Sequence, residues 1–192
     1  AVCGVGCPVP IVTVRGYRLP GWVGAADLVI AVSCSGTTEE TLLVAADQIS
    51  KYWAVVRLQA VGSVSVIPGL FNFSYVENQG AAWGMLAGRQ AFLIGFSIAT
   101  LIFMIWRRRA LFGALRGRTV IMSLLFGGVV GNLIDRLRLG HVIDFLDFHW
   151  GDAHFPAFNV ADSAICCGVF LYLIMQWRHD RHMARDQMTE PE

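Results

Sequence analysis

The sequence predicts an all-α integral-membrane helical bundle, with three clear transmembrane helices, a degenerate first one and a small β element outside the bilayer. Three observations predict it. Hydrophobic residues make up 55% of the 192-residue chain and charged residues only 15%, too little polar surface to clothe a soluble globule. Three uncharged runs follow residue 89: Gln90 to Trp106, Thr119 to Ile134, and Ser163 to Trp177. Arginines then cluster between and after these runs, as they do in short cytoplasmic loops. The formal charge of +1 excludes the basic excess of a nucleic-acid binder. The five cysteines form neither a disulfide framework nor a zinc knuckle, because the one adjacent pair, Cys166-Cys167, lies inside an apolar run.

Three segments follow from this composition: residues 1–41 as an atypical N-terminal segment, 42–178 as a membrane domain, and 179–192 as a polar cytoplasmic tail. The first contains Gly16-Tyr17-Arg18-Leu19-Pro20-Gly21-Trp22-Val23, an apolar strand Leu28 to Val32, and the turn Ser33-Cys34-Ser35-Gly36-Thr37-Thr38-Glu39-Glu40-Thr41. It resembles a fragment of a phosphosugar isomerase (SIS) domain, in which such a Ser/Thr-rich turn at a helix start holds a sugar phosphate. Forty-one residues are too few for the parallel sheet of that fold, so no working sugar-phosphate site is expected. The chain opens on Ala1, which fits a fragment, a fusion or a displaced start alike. The stretch Ala26 to Ala46 is a poor membrane span because it includes Asp27, Glu39 and Glu40, and only Leu42 to Ala46 reads as lipid-compatible.

From Gly62 to Tyr75, Val64, Val66, Phe71, Phe73 and Tyr75 alternate with other residues around the breaker Pro68-Gly69, the period-two pattern of short strands. At about 1.5 Å per residue, the three apolar runs need flanking turns to cross a core of roughly 30 Å. The link between the first two carries Arg107, Arg108, Arg109, Arg116 and Arg118, and the tail carries Arg178, Arg181 and Arg185, so both are expected in the cytoplasm. Asp135, Arg136, Asp144, Asn159 and Asp162 then gather at the outer ends of the second and third spans.

Asp144 and Asp162 are the pair with chemical potential. Two antiparallel helices joined by an outer loop would bring them face to face, and two carboxyls in one low-dielectric site cannot both ionise cheaply. One then keeps a proton while the other acts as base towards water. Solvated loop acids or a structural salt bridge are the alternatives that spacing leaves open.

Five blocks carry a resemblance: Asp47-Gln48-Ile49-Ser50-Lys51, Asn78-Gln79-Gly80-Ala81-Ala82-Trp83-Gly84, Gly131-Asn132-Leu133-Ile134-Asp135-Arg136, Val142-Ile143-Asp144-Phe145, and Phe158-Asn159-Val160-Ala161-Asp162-Ser163-Ala164-Ile165. From about Asp47 to Trp177 the chain resembles the lipoprotein signal peptidases, the type II signal peptidases of bacteria. The resemblance implies an intramembrane aspartyl endopeptidase with Asp144 and Asp162 as the catalytic pair and no cofactor or metal. It implies that Asn78, Asn132, Arg136 and Asn159 line the substrate site, with Asp47, Lys51 and Asp135 as supporting polar groups. Asp135 is set aside as a catalyst because the adjacent Arg136 would hold it ionised. The implied substrate is a prolipoprotein signal peptide followed by a lipidated cysteine. It would be cut at the outer leaflet of the bacterial inner membrane by a multi-pass monomer in contact with lipid.

Competing readings are a membrane protein that binds a proton or cation at the Asp pair, and a family member inactivated by replacement of its first helix. His141, His149 and His154, near Asp144, Asp147 and Asp152, raise a metal-dependent hydrolase, but no His-x-x-x-His pair appears, and loop histidines with ordinary hydrogen bonds are expected.

Overall fold

The computed structural model describes residues 39–189 except 82, 83, 114 and 116. The isomerase-like segment up to residue 38, Ala82-Trp83 and Arg116 therefore lie outside the described residues. The elements in chain order are α1 (Glu39–Leu58), β1 (Ser63–Ile67), β2 (Phe71–Asn78), α2 (Gln90–Phe112), α3 (Arg118–Leu139), β3 (Val142–Trp150), β4 (Ala153–His154) and α4 (Val160–Thr189).

The three apolar runs are helices long and apolar enough to cross a membrane, over Gln90–Phe112, Arg118–Leu139 and Val160–Arg185. Each is longer than its uncharged run, because charge ends a run of apolar letters without ending a helix. In α2 the arginines Arg107 to Arg109 continue the helix, as long side chains with charged tips can do at a lipid boundary. In α3 the helix continues through Asp135 because that carboxyl has a partner, Lys51 at 2.8 Å. The span-forming window of α3 is 56% buried, against 17% for those of α2 and α4, so α3 is the central helix on which the others pack. Past residue 178, the polar tail begins as a continuation of α4.

The first helix, expected as a degenerate span, is a continuous helix of 20 residues, and it is not among the helices long and apolar enough to cross a membrane. Its buried residues Glu40, Asp47, Lys51, Ala54 and Leu58 fall at helical spacing on one face. Leu42, Ile49, Tyr52, Trp53 and Val56 are exposed. Glycines on α3 make the close packing possible: a Cβ on Gly131 would sit 2.5 Å from Asp47 Oδ2, and one on Gly128 would sit 2.6 Å from the Ala161 carbonyl oxygen of α4.

The β element is larger than the sequence indicated, so the fold is not purely all-α. Four antiparallel strands are ordered β1-β2-β3-β4. The first hairpin matches the alternation read at 62–75, with Gly69 at φ +78° in its turn. Strand β3 was missed because Val142, Ile143, Asp144 and Phe145 are all buried, which erases the period-two signal of a half-buried strand. Ala54 and Leu58 of α1 pack with Ile143 and Phe145 of β3 in one apolar cluster. The backbone at Phe158 then pairs with Leu146: Phe145 N and Leu146 N donate to Phe158 O at 3.1 and 2.9 Å, and Phe158 N donates to Leu146 O at 3.1 Å. That pairing fixes the start of α4 beside the strand that carries Asp144.

Candidate active site

Asn159 precedes α4 and closes its first turn reciprocally. Its side-chain Oδ1 accepts Asp162 N–H at 3.0 Å, and Asp162 Oδ2 accepts Asn159 N–H at 3.2 Å. This is the geometry of a capping box, so local helix chemistry holds Asp162 in place. The Asn159 amide Nδ2, fully buried, donates to Asp144 Oδ1 at 2.7 Å and also approaches Asn132 Oδ1 and the Ile143 carbonyl, at 3.2 and 3.3 Å. One asparagine therefore joins both aspartates. The antiparallel-helix arrangement read from the sequence is corrected on this point: Asp144 comes from a strand and Asp162 from a helix start.

Asp144 is 1% exposed. Its second oxygen accepts Asn78 Nδ2 at 2.9 Å, and Asn78 Oδ1 accepts Gly80 N–H at 2.9 Å. Burial pushes the Asp144 carboxyl up from its ordinary range, the negative charge of Asp162 adds to that, and the amide donors and Lys51 only partly offset it, leaving it at about 7. Asp162 is half-buried and accepts Asn132 Nδ2 at 2.7 Å through Oδ1.

Behind the pair lies a buried charge network. Lys51 Nζ reaches Asp47 Oδ2 at 2.9 Å, Asp135 Oδ2 at 2.8 Å and Asn132 Oδ1 at 2.9 Å. By drawing the Asn132 oxygen to itself, the ammonium leaves the Asn132 N–H₂ facing Asp162. Asp47 Oδ1 accepts Ala161 N–H at 2.9 Å, which ties α1 directly to the first turn of α4. Asp47 and Lys51 are thus a buried ion pair inside the bundle. Asp135 is indeed held by a cation, but that cation is Lys51; Arg136 instead donates Nη2 to the Gly80 carbonyl oxygen at 3.1 Å. The Arg136 Nε is buried without a hydrogen-bond partner, and its guanidinium faces the charges of Asp162, Asp144 and Asp135.

Gln48 belongs to this network and was not singled out from the sequence. Its Nε2 contacts Asp135 Oδ1 at 2.9 Å, and Asp47 Oδ2 and the Gly131 carbonyl oxygen at 3.2 Å each. Its place beside Asp47 within a polar helix face was the available signal. The histidines sit apart. His154 Nδ1 is 2.8 Å from Asp147 Oδ1, the His149 and His154 rings stack with centroids 4.8 Å apart, and His141 lies 4.0 Å from Glu77. At Asp147, burial is outweighed by hydrogen bonds from His154 and Ser74, so its carboxyl lies below the usual range. Among the described residues no three His, Cys, Asp or Glu side chains converge as a metal-ligand set.

Two carboxyls linked through one asparagine, Asp144 through its side-chain amide and Asp162 through its backbone N–H, one sealed and one partly open, suit the transfer of a proton to and from water. The family model for signal peptidase (SPase) II matches residues 40–178, which hold every group of this network. The chain belongs to the signal peptidase II family. It is accordingly an enzyme, an aspartic peptidase of the signal peptidase II type. Among its relatives, the lipoprotein signal peptidase of Syntrophotalea carbinolica is 47% identical over 150 residues, covering 75% of this chain and 92% of that protein. That of Geobacter metallireducens is 43% identical over 143 residues, covering 73% and 88%. A bacterial membrane enzyme solved by the in meso method at 2.3 Å is 34% identical with a TM-score of 0.59, covering 80% of this chain and 90% of its own. A second such structure, at 1.9 Å, is 35% identical with a TM-score of 0.58, covering 71% and 88%. In signal peptidase II terms, both aspartates singled out from the sequence lie in the matched region, on elements that meet.

Proposed function

We propose that Asp144 and Asp162 jointly activate water to cut the signal peptide from a prolipoprotein, at the outer leaflet of the bacterial inner membrane. Removal of signal peptides from prolipoproteins is the activity of the family to which the chain belongs. The observation that carries the residue assignment is the hydrogen-bonded bridge through Asn159 to both carboxyls. With its carboxyl raised to about 7 by burial and the charge of Asp162, Asp144 can carry a proton near neutral pH. The pair then holds one proton between them: the ionised oxygen takes a proton from water as it attacks the scissile carbonyl carbon, and the protonated member donates to the carbonyl oxygen.

Asn78, Asn132 and Asn159 turn their amide hydrogens to the aspartates, which supports a positioning role for all three. Arg136 supports a direct substrate role, because its Nε is unpaired and its guanidinium stands beside the pair. It would hold a carbonyl of the unwound peptide, whose own helix bonds are lost near the cut. Asp47, Gln48, Lys51 and Asp135 serve as the charged scaffold beneath.

Three span-capable helices support a multi-pass enzyme, and the arginines at the ends of α2 and α4 opposite the aspartates support a cytoplasmic location for those ends. A substrate tethered in the bilayer and carrying a lipid on the cysteine after the cut suits a site at helix ends beside the headgroups. The proposed step needs no group from a second chain and no cofactor. We place the enzyme at 42–178 together with the start of α1 at Glu39, and 179–192 as a cytoplasmic tail. The test is cleavage of a diacylglyceryl-modified prolipoprotein by the full chain in membranes. Asp144→Asn and Asp162→Asn should each lower the rate by at least about 100-fold, and wild-type rates in both would end the assignment.

A further inference from the structure

At the end of the bundle away from the aspartates, the last turn of α2 with Gly113 and the first turn of α3 border an open cavity of about 280 Å³ lined by Arg108, Arg109, Phe112, Gly113, Arg118, Thr119 and Met122. Its character is amphipathic. Three exposed arginines form the charged part, and no acidic residue is among the lining groups. Phe112 and Met122, only 3% and 6% exposed, form an apolar floor that continues into the cluster with Leu115 and Ile121. The adjoining start of α3 adds to the positive potential: Gly117 precedes it at φ +73° and supplies no side-chain cap, so the first-turn N–H groups have no side-chain acceptor there. Arg118 donates one bond, to the Gly113 carbonyl oxygen at 3.1 Å, which ties the start of α3 to the end of α2.

We propose that this cavity binds the phosphodiester headgroup of an anionic membrane phospholipid. Guanidinium forks match the paired oxygens of a phosphodiester. The apolar floor favours a lipid over a free phosphate, because it offers the glycerol and upper acyl carbons a surface that an inorganic ion would leave unused. Arg118 and Asp135 are 17 residues apart on α3, roughly 26 Å at 1.5 Å per residue. The ligand is therefore a lipid of the opposite leaflet and not the peptide being cut.

The test is native mass spectrometry of the full chain with phosphatidylglycerol or phosphatidylcholine added to the detergent. The wild-type protein should retain one phosphatidylglycerol at least tenfold more tightly than phosphatidylcholine. Arg108→Gln/Arg109→Gln/Arg118→Gln should abolish that preference while prolipoprotein cleavage persists, which certifies the fold. The single variants Arg108→Gln and Arg118→Gln, less disturbing, should each weaken retention several-fold. Arg178→Gln/Arg181→Gln/Arg185→Gln, an equal loss of charge on α4, should leave it unchanged. Equal retention by the triple cavity variant, an equal loss in the α4 variant, or complete displacement of the lipid by inorganic phosphate at matched concentration would overturn the proposal.

Discussion

Helices α1 and α2 have similar lengths, 20 and 23 residues, and opposite designs. In α2 the apolar side chains surround most of the helix: Phe92, Phe96, Ile102, Phe103 and Trp106 are all exposed, and its buried residues are Leu93, Met104 and Phe112. In α1 Glu40, Asp47 and Lys51 face inward together with Ala54 and Leu58, while Leu42, Ile49, Tyr52, Trp53 and Val56 face outward. The first design relies on lipid as its solvent. The second relies on partners, since a buried ammonium or carboxylate is tolerable only when paired and hydrogen-bonded. Hydropathy alone therefore identifies the helix that contributes least to the site and overlooks the one that supports it.

The sharpest way to break this contrast is at Lys51. Lys51→Met leaves Asp47, Asp135 and the Asn132 oxygen without their shared cation, and a loss of roughly 3 to 5 kcal/mol is expected, with cleavage lost as well. Thermal unfolding in detergent, read beside the cleavage assay, checks both. Gly131→Ala comes next, because the new methyl meets Asp47 Oδ2; a loss of about 1 to 3 kcal/mol is expected. Phe96→Leu on the open face of α2 should change stability by less than about 0.5 kcal/mol. If that substitution disturbed the protein as much as Gly131→Ala, the contrast between the two helices would be lost.

The raised Asp144 carboxyl adds a pH dependence with a definite sign. Its folded-state value lies above that of the unfolded chain, so its proton favours the native state fully below about 4, and this contribution is lost as pH rises from there through about 7. The same deprotonation removes the proton that the pair needs, so the cleavage rate should fall on the alkaline side with a midpoint near 7. A rate that keeps rising through pH 9 would contradict the shared-proton mechanism.

The sequence made much of this molecule legible, and unevenly. The apolar runs foretold α2, α3 and α4, because helices facing lipid are apolar along most of their length, and alternation of apolar with other residues foretold the β1–β2 hairpin. Strand β3 was hidden because burial on both faces leaves no alternation, and α1 was legible only as a degenerate span because its inward polar face interrupts the apolar run. The family blocks led to Asp144 and Asp162, while spacing alone left them as two acids 18 positions apart. The cation bonded to Asp135 is Lys51 of another helix, which adjacency in sequence did not show, although the Arg136 guanidinium also faces that charge. Gln48 was passed over because its contacts beyond the neighbouring Asp47 reach residues more than 80 positions away.

A double-mutant cycle at Asp144 and Asp162 tests the central claim most directly, with the rate of prolipoprotein cleavage as the readout. If the two carboxyls act as one unit, each Asn substitution should lower the rate by at least about 100-fold, and the double variant should be only a few-fold slower than either. A double variant whose losses multiply, or a single variant that cuts at the wild-type rate, would show that the two residues do not share the reaction.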